Sequence, residues 1–106
     1  MTVVTKIHQS TKLFPKEELF GLTSQIRRSS VSIPSNIAEG YGRDGKYDYL
    51  KFLNISLSSL FELQTQTEIA KNIDYLNVND FIILYDDSRE LERMLISFIK
   101  KIKERN

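Results

Sequence analysis

The chain has 106 residues, enough for one domain of ordinary size and too few for two comfortable cores. Hydrophobic residues make up 41% and charged residues 27%, the balance of a globular protein rather than a disordered or fibrous one. Fifteen Lys and Arg against 14 Asp and Glu give a formal charge of +1, which removes the simplest argument for nucleic acid, a strongly basic chain. The absence of Cys excludes disulfide frameworks, Cys-ligated zinc, iron–sulfur clusters and thiol catalysis. A single His, His8, leaves a His-based metal site or a Ser-His relay almost no raw material. No apolar run approaches the ~18–20 residues of a membrane span, and the N-terminus MTVVTKIHQSTK is too polar for a signal peptide. The expectation is a single cytoplasmic domain over residues 1–106, with no membrane partner, no cofactor and no metal.

Punctuation is sparse. Only Gly21, Gly40, Gly42, Gly45, Pro15 and Pro34 can break structure, and strand-rich domains need turn signals far more often. The fold class is therefore all-α. The first segment, Thr2–Leu13, turns Val4, Ile7 and Thr11 inward. At about 11 residues it is ~16 Å long, against ~35–40 Å for the others. The groove it leaves is shortened, filled by another protomer, or left exposed.

The second segment begins after Phe14-Pro15, where Pro suits the first helical position. Glu17 and Glu18 then fall in its first turn, favourably for the helix dipole. Leu19, Leu22, Ile26, Ile33 and Ile37 share one face, with Ser29 and Ser30 between them. Gly40 is the expected left-handed C-terminal residue. Pro34 lies inside this pattern, which stays in phase across it; a kink is expected, with a break at Ser32 or Ile33 as the alternative.

The third segment carries Leu50, Leu53, Leu57 and Leu60 beside a second stripe of Phe52, Ile55, Ser59, Leu63, Gln66 and Ala70. Two adjacent stripes need cover from more than one side. Between Asn72 and Asn79 the recurring Asn and Asp mark the remaining connection. In the last segment Phe81, Leu84, Leu91, Leu95, Phe98 and Ile102 alternate steps of three and four, with Ser88 in the stripe. Asn77 and Asp80 have the spacing of a capping box. Lys100, Lys101, Lys103 and Arg105 close the segment, where cations suit the dipole.

Candidate chemistry is limited. Behind the apolar face of the second segment runs a row of small or polar residues: Gly21, Ser24, Arg28, Ser32, Ser35 and Glu39. It reads as a solvated helix back, or as a close contact with the third helix or with another protomer. In a buried contact Arg28 needs a carboxylate, with Glu62 or Glu39 within reach of the pattern. Several Ser residues without a usable base do not make a nucleophile. The run Gly40-Tyr41-Gly42-Arg43-Asp44-Gly45 follows a helix, whereas a phosphate-cradling loop follows a strand.

Dividing the charge is more informative than summing it. Residues 1–46 hold seven bases and four acids, residues 47–93 four and nine, and residues 94–106 four and one. With the second and fourth helices running the same way, Arg43, Lys46 and the final lysines meet at one end. Dipole compensation and a solvated face account for this, as does phosphate binding by Arg27, Arg28, Arg43, Lys46, Lys100, Lys101 and Lys103.

The string from Phe14 to Gly40, FP-x-EE-x-x-GLTSQIRR followed by SIPSNIAEG, resembles the signature of the bacterial four-helix-bundle family encoded in intervening sequences of 23S ribosomal RNA genes. Phe52 to Leu63 is similar to the family's third-helix pattern, with Ser58 where Gly often stands. The family's longer first helix is not matched before Val4. The resemblance implies an antiparallel up-down bundle with a short first helix. It further implies a ring-like homopentamer, as in related accessory proteins of diversity-generating retroelements, which bind nucleic acid and a reverse transcriptase. The resulting expectation is a non-enzymatic homo-oligomer whose basic surface contacts RNA or DNA. Its row of small residues, with Glu62, would lie at the oligomer interface. The alternative is a protein–protein scaffold that accepts a partner helix beside the short first one.

Overall fold

The computed structural model describes residues 2–105, and among them it contains four α-helices and no strand. They are α1 (Thr2–Thr11), α2 (Leu22–Tyr41), α3 (Lys46–Asn72) and α4 (Val78–Lys103), with a 3-10 turn at Lys16–Glu18. Each helix touches two others, in the order α1, α2, α3, α4 around the long axis. The molecule measures 49 × 24 × 18 Å. Ile7, Ile26, Ile33, Leu53, Leu60, Leu63 and Ile102 are fully buried along its centre.

The tightest pair is α2 against α3. Gly40 meets Tyr49 and Phe52, Ile33 accepts from Ser56 at 2.8 Å, and Ser29 donates to Gln66 at 2.6 Å. Numbers falling along α2 meet numbers rising along α3, so the two helices run in opposite directions. A Cβ on Gly40 would lie 2.9 Å from that of Phe52. Small side chains let the backbones approach, and the Ser hydroxyls then bond across the seam or back to their own helix, as Ser30 does to Arg27. Ser56, absent from both expected stripes, is fully buried here.

Several boundaries differ from expectation. The first helix ends at Thr11, and Val3 rather than Val4 is its buried valine. Pro15 caps the 3-10 turn instead of opening α2, which starts after Gly21. The chain needs these residues to reverse from α1 into α2, so Leu19 is 49% exposed instead of lying in the core. Glu18 still serves the helix start, because its carboxylate accepts from the Leu22 amide at 3.4 Å. At 20 residues α2 is ~30 Å long, shorter than expected.

The helix runs unbroken through Pro34. No Gly has a positive φ, so Gly40 is not a left-handed cap; its place is set by the close approach to α3.

The connection from α3 to α4 contains the one residue with positive φ among those described, Asp74 at 63°. The Tyr75 amide donates to Ala70 at 2.9 Å and the Asp74 amide to Lys71 at 3.1 Å, which is the Schellman pattern. The Asn77 side chain accepts from the Asp80 amide at 2.8 Å, and its own amide donates to the Asp80 carboxylate at 3.1 Å. This is a variant of the capping box, closed through the side-chain amide rather than the backbone of the cap residue.

Four substitutions test these contacts by thermal or denaturant unfolding. Gly40→Ala lowers stability by about 1–2 kcal/mol, overpacking outweighing the gain in helix propensity. Gly45→Ala costs less, because nothing lies within 4 Å of its added Cβ. Asn77→Ala lowers stability by about 1 kcal/mol through loss of the cap, whereas Asp74→Gly raises it by up to about 1 kcal/mol by relieving the left-handed residue.

Candidate nucleic-acid interface

The basic residues at the C-terminal end of α4 come together with the α2–α3 connection. Lys46, the first residue of α3, donates through Nζ to the Lys103 carbonyl at 2.9 Å and to the Arg105 carbonyl. It therefore caps α4, satisfying carbonyls that the helix itself leaves open. Arg43 bonds Glu39 at 2.5 Å, one turn earlier on α2, and its guanidinium lies 4.9 Å from the centre of the Phe52 ring. Both Arg43 and Lys46 thus have partners within the chain. Lys100, Lys101 and Lys103 are exposed and, among the described residues, have no acidic partner. Lys100 and Lys103 flank an open cavity of about 280 Å³ between α3 and α4, floored by Leu57, Ile96 and Ile99. Tyr41, Tyr49 and Phe98 stack edge to face beside this end, with centroids 6.5 and 5.8 Å apart.

Arg27 and Arg28 are elsewhere. Sixteen residues of chain, about 24 Å along a helix, separate Arg27 from Arg43. The seven basic residues therefore do not form one patch. Arg28 is exposed. Glu62 accepts instead from Gln66, and Glu39 from Arg43, so neither carboxylate is paired with Arg28 inside the chain. Arg27 is half-buried, and its Nε donates to the Thr11 hydroxyl at 2.8 Å, tying α2 to α1.

The row of small residues divides between two roles. Ser32 sits 2.8 Å from Ser59 of α3, with the Asn36 amide donating to it at 2.9 Å. Gly21 and Ser24 are partly covered, and Arg28, Ser35 and Glu39 face solvent. His8 hydrogen-bonds through Nδ1 to the Val4 carbonyl at 3.0 Å, and no Ser hydroxyl among the described residues is bonded to it. Asp87 pairs with Lys6 at 2.5 Å and fastens α1 to α4. No group of three or more potential metal ligands occurs among the described residues, and no described helix is long and apolar enough to cross a membrane.

Sequence periodicity did not single out Lys12 and Lys16. They stand beside Arg27 only because the turn between α1 and α2 folds back over α2. The cue available in the sequence was their position on either side of Phe14-Pro15.

Comparison with solved structures finds a similar chain in the crystal structure of a protein with unknown function from the S23 ribosomal protein family of Bacteroides thetaiotaomicron VPI-5482. The two share 28% identity over 92% of this chain and 91% of that one, with a TM-score of 0.83. No curated protein matches the chain. The sequence pattern of the 23S rRNA-intervening sequence proteins matches residues 1–97. With that match spanning nearly all of the four helices, the chain belongs to the 23S rRNA-intervening sequence protein family.

Proposed function

We propose that this protein is a non-catalytic helical bundle that assembles with copies of itself in the cytoplasm and binds RNA or DNA through its basic end. The observation that carries the reading is the Lys46 bond to the last carbonyl of α4, at Lys103, and to the Arg105 carbonyl just beyond it. It fixes the α2–α3 connection against the segment that holds Lys100, Lys101 and Lys103. Those three lysines are the primary phosphate contacts, and Arg43 and Lys46 hold the surface that presents them. Phosphate neutralisation needs mobile, exposed cations rather than a buried pocket, and these lysines meet that requirement. Arg28, Ser35 and Glu39 on the open back of α2, together with Gly21, Ser24 and Glu62, form the surface between copies. A ring of copies would repeat the lysine cluster and raise its local potential.

A second reading is favoured by Met94 and Ile96, exposed at 61% and 47% on α4. There the bundle would accept a partner helix through its apolar surface.

Titration with a structured RNA at two salt concentrations separates these readings. Binding at low salt that weakens steeply with added salt is expected. The triple variant Lys100→Ala, Lys101→Ala, Lys103→Ala should reduce affinity about tenfold or more and flatten the salt slope by about two to three. Affinity indifferent to salt or to this variant would sink the nucleic-acid reading. Light scattering should give a multiple of the 12.4 kDa chain mass, and a monomer would overturn the assembly.

A further inference from the structure

A groove of about 410 Å³ lies near the opposite end, where the turn between α1 and α2 folds over α2. Its charged lining is cationic throughout: Lys12, Lys16 and Arg27. None of the three has an acidic partner among the described residues. Glu18, on the same turn as Lys16, is engaged with the Leu22 amide.

Arg27 is held in place. Its Nε donates to Thr11 Oγ1, which itself donates to the Ile7 carbonyl at 2.7 Å. Fixing the guanidinium through Nε leaves both terminal nitrogens as a preset fork, the geometry that suits a phosphate or carboxylate. Phe14, Pro15 and Leu19 supply an apolar wall.

Thr23 also lines the groove. It is 3% exposed, and its hydroxyl is the one buried side-chain oxygen or nitrogen without a hydrogen-bond partner among the described residues. Thr11, Thr65 and Thr67 each donate to the carbonyl four residues back. Thr23 has no such helical carbonyl, because α2 begins only at Leu22. A buried hydroxyl left unpaired is unfavourable, and a bound acceptor would relieve it.

We propose that this groove binds a phosphate monoester carried on an apolar or flat body of about nucleotide size. Three cations exceed what a single carboxylate balances, whereas a monoester dianion matches them more closely. The apolar wall and the volume of the groove call for more than inorganic phosphate. A free nucleotide and the 5′-phosphorylated end of a nucleic-acid strand share this chemistry. The site is independent of the basic end of α4, and its residues do not overlap with the lysines there.

The test uses calorimetric titration of the full chain with adenosine 5′-monophosphate, adenosine and inorganic phosphate as separate probes. The monophosphate should bind, adenosine should not because it brings no charge to the three cations, and phosphate should bind at least about tenfold more weakly because it leaves the apolar wall uncovered. The exposed double variant Lys12→Gln, Lys16→Gln should weaken the monophosphate about tenfold or more, while Lys100→Ala, Lys103→Ala leaves it unchanged. Thr23→Val should raise the melting temperature by removing the unpaired hydroxyl and also weaken the monophosphate; a raised melting temperature with unchanged affinity would mean the hydroxyl takes no part and would overturn the site as drawn. Equal binding of adenosine, or no binding of the monophosphate to the unaltered chain, overturns the proposal. Matched 5′-phosphorylated and 5′-hydroxyl oligonucleotides then separate the sources. A preference for the phosphorylated strand that Lys12→Gln, Lys16→Gln abolishes supports a strand end, and no preference alongside monophosphate binding supports a free nucleotide.

Discussion

Everything in this bundle is arranged around the close approach of α2 to α3. Gly40 leaves no room for a side chain against Phe52 and Tyr49. Ser29, Ser32, Ser56 and Ser59 fill the seam with groups small enough to let the backbones near one another and polar enough to bond once there. Large apolar side chains at those positions would push the helices apart. The remaining contacts follow from that pair: α4 lays Leu84, Leu95, Ile99 and Ile102 against it, and α1 adds Val3, Ile7 and Thr11.

The seam also explains why polar residues are so frequent inside a small core. Ser30 and Ser56 are as buried as the leucines around them. Each has its hydroxyl bonded, to the Arg27 and Ile33 carbonyls respectively. A bonded hydroxyl in the interior is tolerated, whereas an unbonded one is costly. Thr23 is the exception, and it is placed where the turn from α1 meets the first residues of α2.

The two ends of the molecule differ in how their charges are used. At the C-terminus of α4, Lys46 and Arg43 are committed to carbonyls, to Glu39 and to the Phe52 ring, and the lysines of the last turn remain free to meet solvent or a polyanion. At the α1–α2 turn the cations border a groove, and one of them is locked by a hydrogen-bond chain through Thr11 to Ile7. A diffuse surface suits a repeating backbone of phosphates. A fixed fork beside an apolar wall suits a single discrete group.

Much of the architecture was legible without coordinates. The dearth of Gly and Pro dictated helices. The steps of three and four placed Ile26, Ile33, Leu53, Leu60, Leu84, Leu95 and Ile102 inside, because a helix must bury one stripe. Charge segregation along the chain, hidden by the total of +1, followed from counting segments. Local rules were weaker where the chain reverses direction. Pro15 and Glu17 looked like a helix start, yet the reversal from α1 required a 3-10 turn first. Gly40 does stand at the end of α2, which stops at Tyr41, but it serves there as a small residue packed against α3 rather than as a left-handed cap. Which small residues face a neighbour, which cations already have partners, and where an unpaired hydroxyl borders a groove are properties of packing between elements. Periodicity within one element carries no information about them. The sequence by itself determined the helices and their inward faces; tertiary structure decided which polar groups were spent on holding the bundle together and which were left to meet something else.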